Sequence, residues 1–385
     1  MKSAAIFAMI LYSSIVFAAA PQVFFMEPEK TQKDDALTAF RLVTDESKLA
    51  TYRKWIDNDA ARWAFDLYAR ALKIKGKDAA YYVALVEGGN HAEVGFKLLS
   101  ASGEQSFPDN TYIKLDPVDK EFKATLLHET GHMILAILNG GKKIPQLGIS
   151  SIPHTTAALT DRGTAFDEGF AIHLETLAAH YLNDPDIRSR YDHQNFQTGV
   201  PLMLGEYHRI AGDLLSYSQT STRYIEVREN NFAFAPAYKG PDYFRVQLEK
   251  SRDFTTLRDA NQLLQSEGFH ASFFFTQLIR GNHPVYDDVI SDRQTRMLEV
   301  LAEVLNEKTD GHTPFILSFV ENYLKKYPDE GREVLDVFLD LSHGVFVDKN
   351  AAKLWHDHYL GALHLDIAEK ENKAVEGARA QWRTQ

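Results

Sequence analysis

Within the run TLLHETGHMILAIL (125–138), His128, Glu129 and His132 interrupt an otherwise apolar stretch. In an α-helix, residues four apart stand about 40° apart around the axis, so His128 and His132 share one face and Glu129 lies on its flank. Leu126, Leu127, Met133, Ile134, Ile137 and Leu138 take the opposite side, so the helix can be buried while its histidines face a cleft. Two neutral imidazoles at this spacing can share one zinc ion, and the glutamate between them can accept a proton from a water beside the metal. A lone buried histidine is usually a packed side chain; the paired spacing in mid-helix, behind a strand, points to a metal.

A catalytic zinc needs a third protein ligand and an open position for water. The metzincin pattern would place a glycine at position 135 and a histidine at position 138; the chain has Leu135 and Leu138 there, which excludes that class. The expected third ligand is Glu168, in TAFDEGFAIHLE (164–175), on the first turn of a second helix. Thr164 and Asp167 have capping-box spacing at its start. Packed antiparallel to the first helix, this one can aim Glu168 at both histidines. A purely helix-dipole role for Glu168 would contribute only a few tenths of a kcal/mol, and Asp167 is read as already filling the capping role. His154, Asp161 and His173 are the reserve ligands, His154 in the intervening loop and His173 near the back of the second helix.

HETGH followed by DEGFA resembles the gluzincin branch of zinc metallopeptidases, in which His-Glu-x-x-His and a later Glu-Gly-aromatic-Ala segment bind the metal. The resemblance spans about 111–180. It implies a strand-lined N-terminal lobe, a helical C-terminal lobe and a cleft between them. It also implies His128, His132 and Glu168 as zinc ligands and Glu129 as general base. Three positions depart from that family. Thermolysin-like members have an aspartate four residues after the ligand glutamate, buttressing a histidine, where this chain has Ile172. The Gly-x-Met-Glu-Asn segment of the aminopeptidase members is absent before the strand. Their later Tyr-x-x-Gly-aromatic segment is echoed only by QSEGF, with Gln265 in the tyrosine's place. The donor to the developing oxyanion is therefore unassigned, with Tyr238, Tyr243, His208 and His270 as candidates.

The elements that must hold these residues follow from periodicity. Apolar residues recur every three to four positions over 32–75, which predicts helix. YYVALVEG (81–88) and AEVGFKLLSA (92–101), joined by Gly-Gly-Asn-His, predict a β-hairpin, and TYIKLDP (111–117) a third strand. The metal helix is predicted from about Val118 to Leu138, stopping at Asn139-Gly140-Gly141. Residues 184–262 have mixed character, and from about 263 onward the pattern is helical. The fold class is α+β, zincin-like: a small-sheet N-terminal lobe (19–183) carrying the zinc-binding helices, and a mainly helical C-terminal lobe (184–385).

Lys2, the apolar run Ala4 to Phe17, and small residues at Val16 and Ala18 form a signal-peptide pattern over 1–18. The chain of 385 residues has no cysteine, 44% hydrophobic residues and a formal charge of -11. The absence of cysteine excludes a disulfide framework, and such an exported protein fits a periplasm or secretion from a bacterium. The acidic balance argues against nucleic acid or an anionic membrane as partner, and no segment after the signal is apolar enough to span a bilayer. Nothing in the sequence sets an oligomeric state. The expected activity is hydrolysis of a peptide or protein outside the cytoplasm. The alternatives are a zinc amidase acting on cell-wall peptides, or a non-catalytic binding protein of the same fold, which would have no need of Glu129.

Overall fold

The computed structural model describes residues 21–29, 37–116, 122–145, 160–182, 184–187, 263–281, 283, 285–307 and 314–341. Five short runs rich in aromatic and β-branched residues become strands: β1 (Gln22–Pro28), β2 (Thr38–Leu42), β3 (Ala80–Leu85), β4 (Asn90–Ser100) and β5 (Gly103–Leu115). They close into a barrel in the order β1-β2-β4-β5-β3. β1 runs antiparallel to β2 and parallel to β3, β2 is parallel to β4, β4 antiparallel to β5, and β3 parallel to β5. Alternate residues serve two cores. Met26, Phe40, Tyr82, Ala84, Phe96, Leu98 and Tyr112 pack with one another in one cluster. Phe25, Tyr81, Val83, Leu85, Ile113 and Leu115 pack into the other, shared with the helices. Strands buried on both faces read as near-continuous apolar runs, as AYYVAL does.

The strands pair differently from the order in which they follow one another in the sequence. β3 and β4 are not a hairpin: β3 pairs with β1 and β5, and the true hairpin is β4–β5, whose register closes at Ser100 and Gly103. β5 accordingly begins at Gly103 and not near 111. The stretch 32–75 is not helical throughout, because Thr38–Leu42 joins the barrel as β2. The helices within it are α1 (Glu46–Ile56) and α2 (Asp59–Ile74), whose N-termini are capped by the side chains of Asp45 and Asn58.

The metal helix is α3 (Phe122–Leu138), directly after β5, and the second is α4 (Arg162–Tyr181). As predicted, α3 stops at the glycines: Gly140 and Gly141 have φ of 72° and 79°, and their N–H groups donate to Ile137 and Ala136 carbonyls. Further along the chain come α5 (Glu267–Ile279), α6 (Asp288–Asn306), α7 (Phe315–Lys326) and α8 (Pro328–Leu341). α2 packs on α3, α3 on α4, and α5 on the other side of α4. One hydrophobic cluster runs from Phe25 to Leu341 across the expected lobe boundary. Arg70 of α2 adds a polar tie, donating to the carbonyl and hydroxyl of Ser291 in α6. No helix among the described residues is long and apolar enough to cross a membrane. Residues 1–18 lie outside the described residues.

Candidate metal centre

α3 is held from below by the barrel. Tyr81 of β3 and Thr130 share a buried hydrogen bond of 2.6 Å, and Leu126, Leu127, Ile134 and Leu138 are fully enclosed. The opposite face of α3 meets α4, and the contacts run in opposite directions along the two helices. His128 meets Glu175, Gly131 meets Ala171, and His132 meets Asp167 and Glu168. The helices are therefore antiparallel, as the sequence suggested.

Three ligand atoms converge at this crossing. His128 Nε2 lies 3.1 Å from Glu168 Oε2 and 3.2 Å from His132 Nε2, and His132 Nε2 lies 3.5 Å from Glu168 Oε2. The ligands of a tetrahedral ion bound at about 2.0–2.1 Å stand about 3.3–3.4 Å apart, so the spacing fits a small divalent cation. His128, His132 and Glu168 can hold a metal ion. The far nitrogens are also engaged. His128 Nδ1 lies 2.6 Å from Glu175 Oε1, and His132 Nδ1 lies 2.9 Å from Asp167 Oδ1. A carboxylate beside Nδ1 accepts a hydrogen bond from Nδ1–H and so holds the tautomer whose Nε2 lone pair can bind a metal, the arrangement that outer partners of metal-bound histidines provide.

Electrostatics describes the same group without an ion. Burial alone would lower His128, but the Glu175 charge and the bonds to Glu168 and Glu175 outweigh it and lift its pKa to about 10. His132 is likewise raised, burial being overcome by Asp167 and Glu168. Burial would raise Glu168, yet the charge of His132 and hydrogen bonds from both rings hold its carboxyl well below the usual carboxylate range. Glu129 behaves differently. Burial raises it, and the opposing pull of the two histidines does not reverse that shift. Its Oε2 accepts the backbone N–H of Ala92 at 2.6 Å, which ties the carboxylate to β4.

A cavity of about 390 Å³ opens in front of the centre. Asn90 to Val94 of β4 and Thr111 of β5 form one wall; Met133, Ala136, Lys143 and Ile144 form another, with Asp167 and Glu168 closing it. Among the described residues β2 pairs with β4 over Phe96–Leu99, and the Asn90–Val94 stretch precedes that pairing. Glu93 bridges the two walls through Lys143 Nζ at 2.9 Å.

The other sequence candidates sit elsewhere. Asp161, a reserve ligand, is the true N-cap of α4: its Oδ1 accepts from the N–H of Gly163 and Thr164 at 2.8 and 3.0 Å. This corrects the capping-box reading. Asp167 binds His132, and Glu168 lies on the second turn of α4, not the first. His173 is buried at the back of α4, donating through Nδ1 to the Phe170 carbonyl. His270 is buried between α4 and α5, with Nε2 on the Leu264 carbonyl, and does not line the cavity. QSEGF leads into α5, where Ser266 is the N-cap. His154, His208, Tyr238 and Tyr243 fall outside the described residues.

Sequence reasoning missed Glu175 and gave Asp167 the wrong task. A signal for Glu175 was present: seven residues after Glu168, it lies about 20° from it around the helix. Its side chain is fully buried in an otherwise apolar stretch, where an acid needs a partner. The chain matches no protein-family model, no curated protein and no solved structure.

Proposed function

We propose that this protein is an exported zinc-dependent peptidase of gluzincin type, with His128, His132 and Glu168 as metal ligands and Glu129 as general base. The observation that carries this reading is the ligand triangle of 3.1, 3.2 and 3.5 Å, with a carboxylate on each Nδ1. Bound there, zinc would supply Lewis-acid polarisation of a carbonyl and acidify a water towards neutrality. The chain's own part is proton handling and positioning. The Ala92 N–H on Oε2 orients Glu129, whose Oε1 takes a proton from the attacking water and returns it to the leaving nitrogen. Burial raises its pKa against the pull of the two histidines, the direction that makes the carboxylate a better proton acceptor.

A peptide substrate is favoured by the wall of the cavity. In an antiparallel ladder a residue's N–H and C=O point to the same side, so the Ala92 carbonyl faces the side on which its N–H meets Glu129. An extended chain laid along Asn90–Val94 would find backbone acceptors there, the usual way a strand edge takes a peptide. Export and a zincin-like architecture belong to the same proposal, the first resting on the pattern in residues 1–18 alone. The test is zinc content together with hydrolysis of an unmodified polypeptide and of cell-wall peptides. About one zinc per chain with polypeptide cleavage is expected. Cleavage of cell-wall peptides alone would make it an amidase, and zinc without turnover a binding protein; either result overturns the peptidase reading.

A further inference from the structure

α4 carries the Glu168 ligand and the Asp167 and Glu175 partners of both histidines, so its distance from α3 decides whether the ligand triangle closes. Two glycines leave it no free space. Gly131 lies on α3 between His128 and His132, and a Cβ added there would stand 2.6 Å from the Cα of Ala171 and 3.0 Å from its Cβ. The obstacle is backbone, which cannot rotate out of the way as a side-chain tip can. Ala171 lies three residues after Glu168 and four before Glu175, on the face of α4 that meets α3. Gly169 is about 200° round the helix from Ala171. A Cβ there would stand 2.4 Å from the His270 Cβ and 2.7 Å from the Glu267 carbonyl oxygen of α5. α4 is thus clamped on opposite sides, and it cannot retreat from α3 without meeting α5.

We propose that Gly131 and Gly169 are positioning residues for the metal centre: by admitting α4 into the gap between α3 and α5, they set the separation of Glu168 from His128 and His132. The inference rests on the metal reading above. Its physical basis is the tolerance of a metal site, in which ligands held within about 0.5 Å of their working positions bind well and looser ones do not. A methyl group at either glycine must push the helices apart by more than that, because its contact is well inside van der Waals distance. Alanine is the better helix former, so on propensity alone either substitution would strengthen its helix. Loss of metal affinity in a folded variant therefore reports the spacing of the helices, not helix formation.

The experiment uses the full chain and zinc itself. Gly131→Ala and Gly169→Ala are compared with wild type by chelator competition for zinc affinity, by circular dichroism for helix content and by thermal unfolding of the metal-free protein. Each variant is expected to keep its helices and bind zinc at least ten-fold more weakly. A folded Gly131→Ala that binds zinc within two-fold of wild type overturns the proposal. Should Gly131→Ala fail to fold, Ala171→Ser enlarges the same contact from the other helix by one oxygen, and wild-type affinity in that variant overturns it equally. A wild-type protein that binds no zinc sinks the metal reading itself, a result distinct from either.

Discussion

Glu175 Oε1 lies 2.6 Å from Nδ1 of His128, while Glu168 Oε2 lies 3.1 Å from Nε2 of the same ring. Two carboxylates seven residues apart on α4 thus grip both nitrogens of one imidazole. Glu175 has no exposed side-chain surface, so its charge is tolerated only because it is paired. Glu175→Ala should leave the ring free to turn and weaken zinc binding by about 10- to 100-fold. Glu175→Gln keeps an acceptor for Nδ1–H and should stay closer to wild type. Chelator competition on both variants checks this, and equal affinities for Ala and wild type would count against the role.

Glu129 should behave in the opposite way, affecting rate and not metal. Glu129→Gln retains an oxygen for the Ala92 N–H but cannot take a proton. The variant is expected to fold, to hold zinc as tightly as wild type, and to lose roughly 10²-fold or more in turnover, the usual scale for a general base. Lost zinc would make the residue structural, and unchanged turnover would assign the base elsewhere. Paired metal and rate measurements on one preparation decide it.

How much of this was legible before the structure varies with the range of the interaction. The His128/His132 face, the stop at Gly140 and Gly141 and the antiparallel approach of Glu168 were all readable, because helix periodicity and capping act within a few residues. The barrel was not. β3 finds its partners in β1 and β5, and β2 in β1 and β4, pairings set by burial of alternate residues across long stretches of chain. TAFRL is too short to declare itself a strand beside two helices. The cap of α4 was misplaced because Asp161, Thr164 and Asp167 all suit a helix start, and only the geometry shows that Asp161 takes the N–H groups and leaves Asp167 for His132.

Metal uptake should depend steeply on pH. In the metal-free protein the neighbouring acids favour protonated rings: against burial, Glu175 and Glu168 lift the His128 pKa to about 10, and Asp167 and Glu168 raise that of His132. A metal must displace one proton from each Nε2, so the free form binds more protons and affinity rises with pH. Two displaced protons give a slope of up to about 100-fold per pH unit below those pKa values. Chelator competition at pH 6, 7 and 8, with proton release followed in weak buffer, checks both sign and number. Affinity constant across that range would contradict the charge state described for the two rings.

Two other histidines contribute to the loss of stability in acid. His173 and His270 are buried, and burial pushes their pKa values down to about 3 and about 4, more than the backbone bonds to Phe170 and Leu264 restore. Among the described residues, His173 Nε2 and His270 Nδ1 have no partner that a proton could gain. In the unfolded chain both titrate near 6.5. Above that pH both states are neutral and the stability is fully present; as pH falls below it, the unfolded state binds protons that the folded state refuses, and stability is lost. Each group contributes a slope of up to about 1.4 kcal/mol per pH unit. His128 and His132 add nothing in this window, since with raised values they are protonated in both states below about 6.5. The metal-free protein should therefore show a falling thermal midpoint from about pH 6.5 to 4.5. His173→Asn keeps a donor near Nδ1 and His270→Gln one near Nε2, and neither titrates. Each should flatten the acid limb by the equivalent of one proton, measured as the pH dependence of unfolding free energy in urea. Variants whose curves stay parallel to wild type would mean that these rings do not contribute to the acid limb.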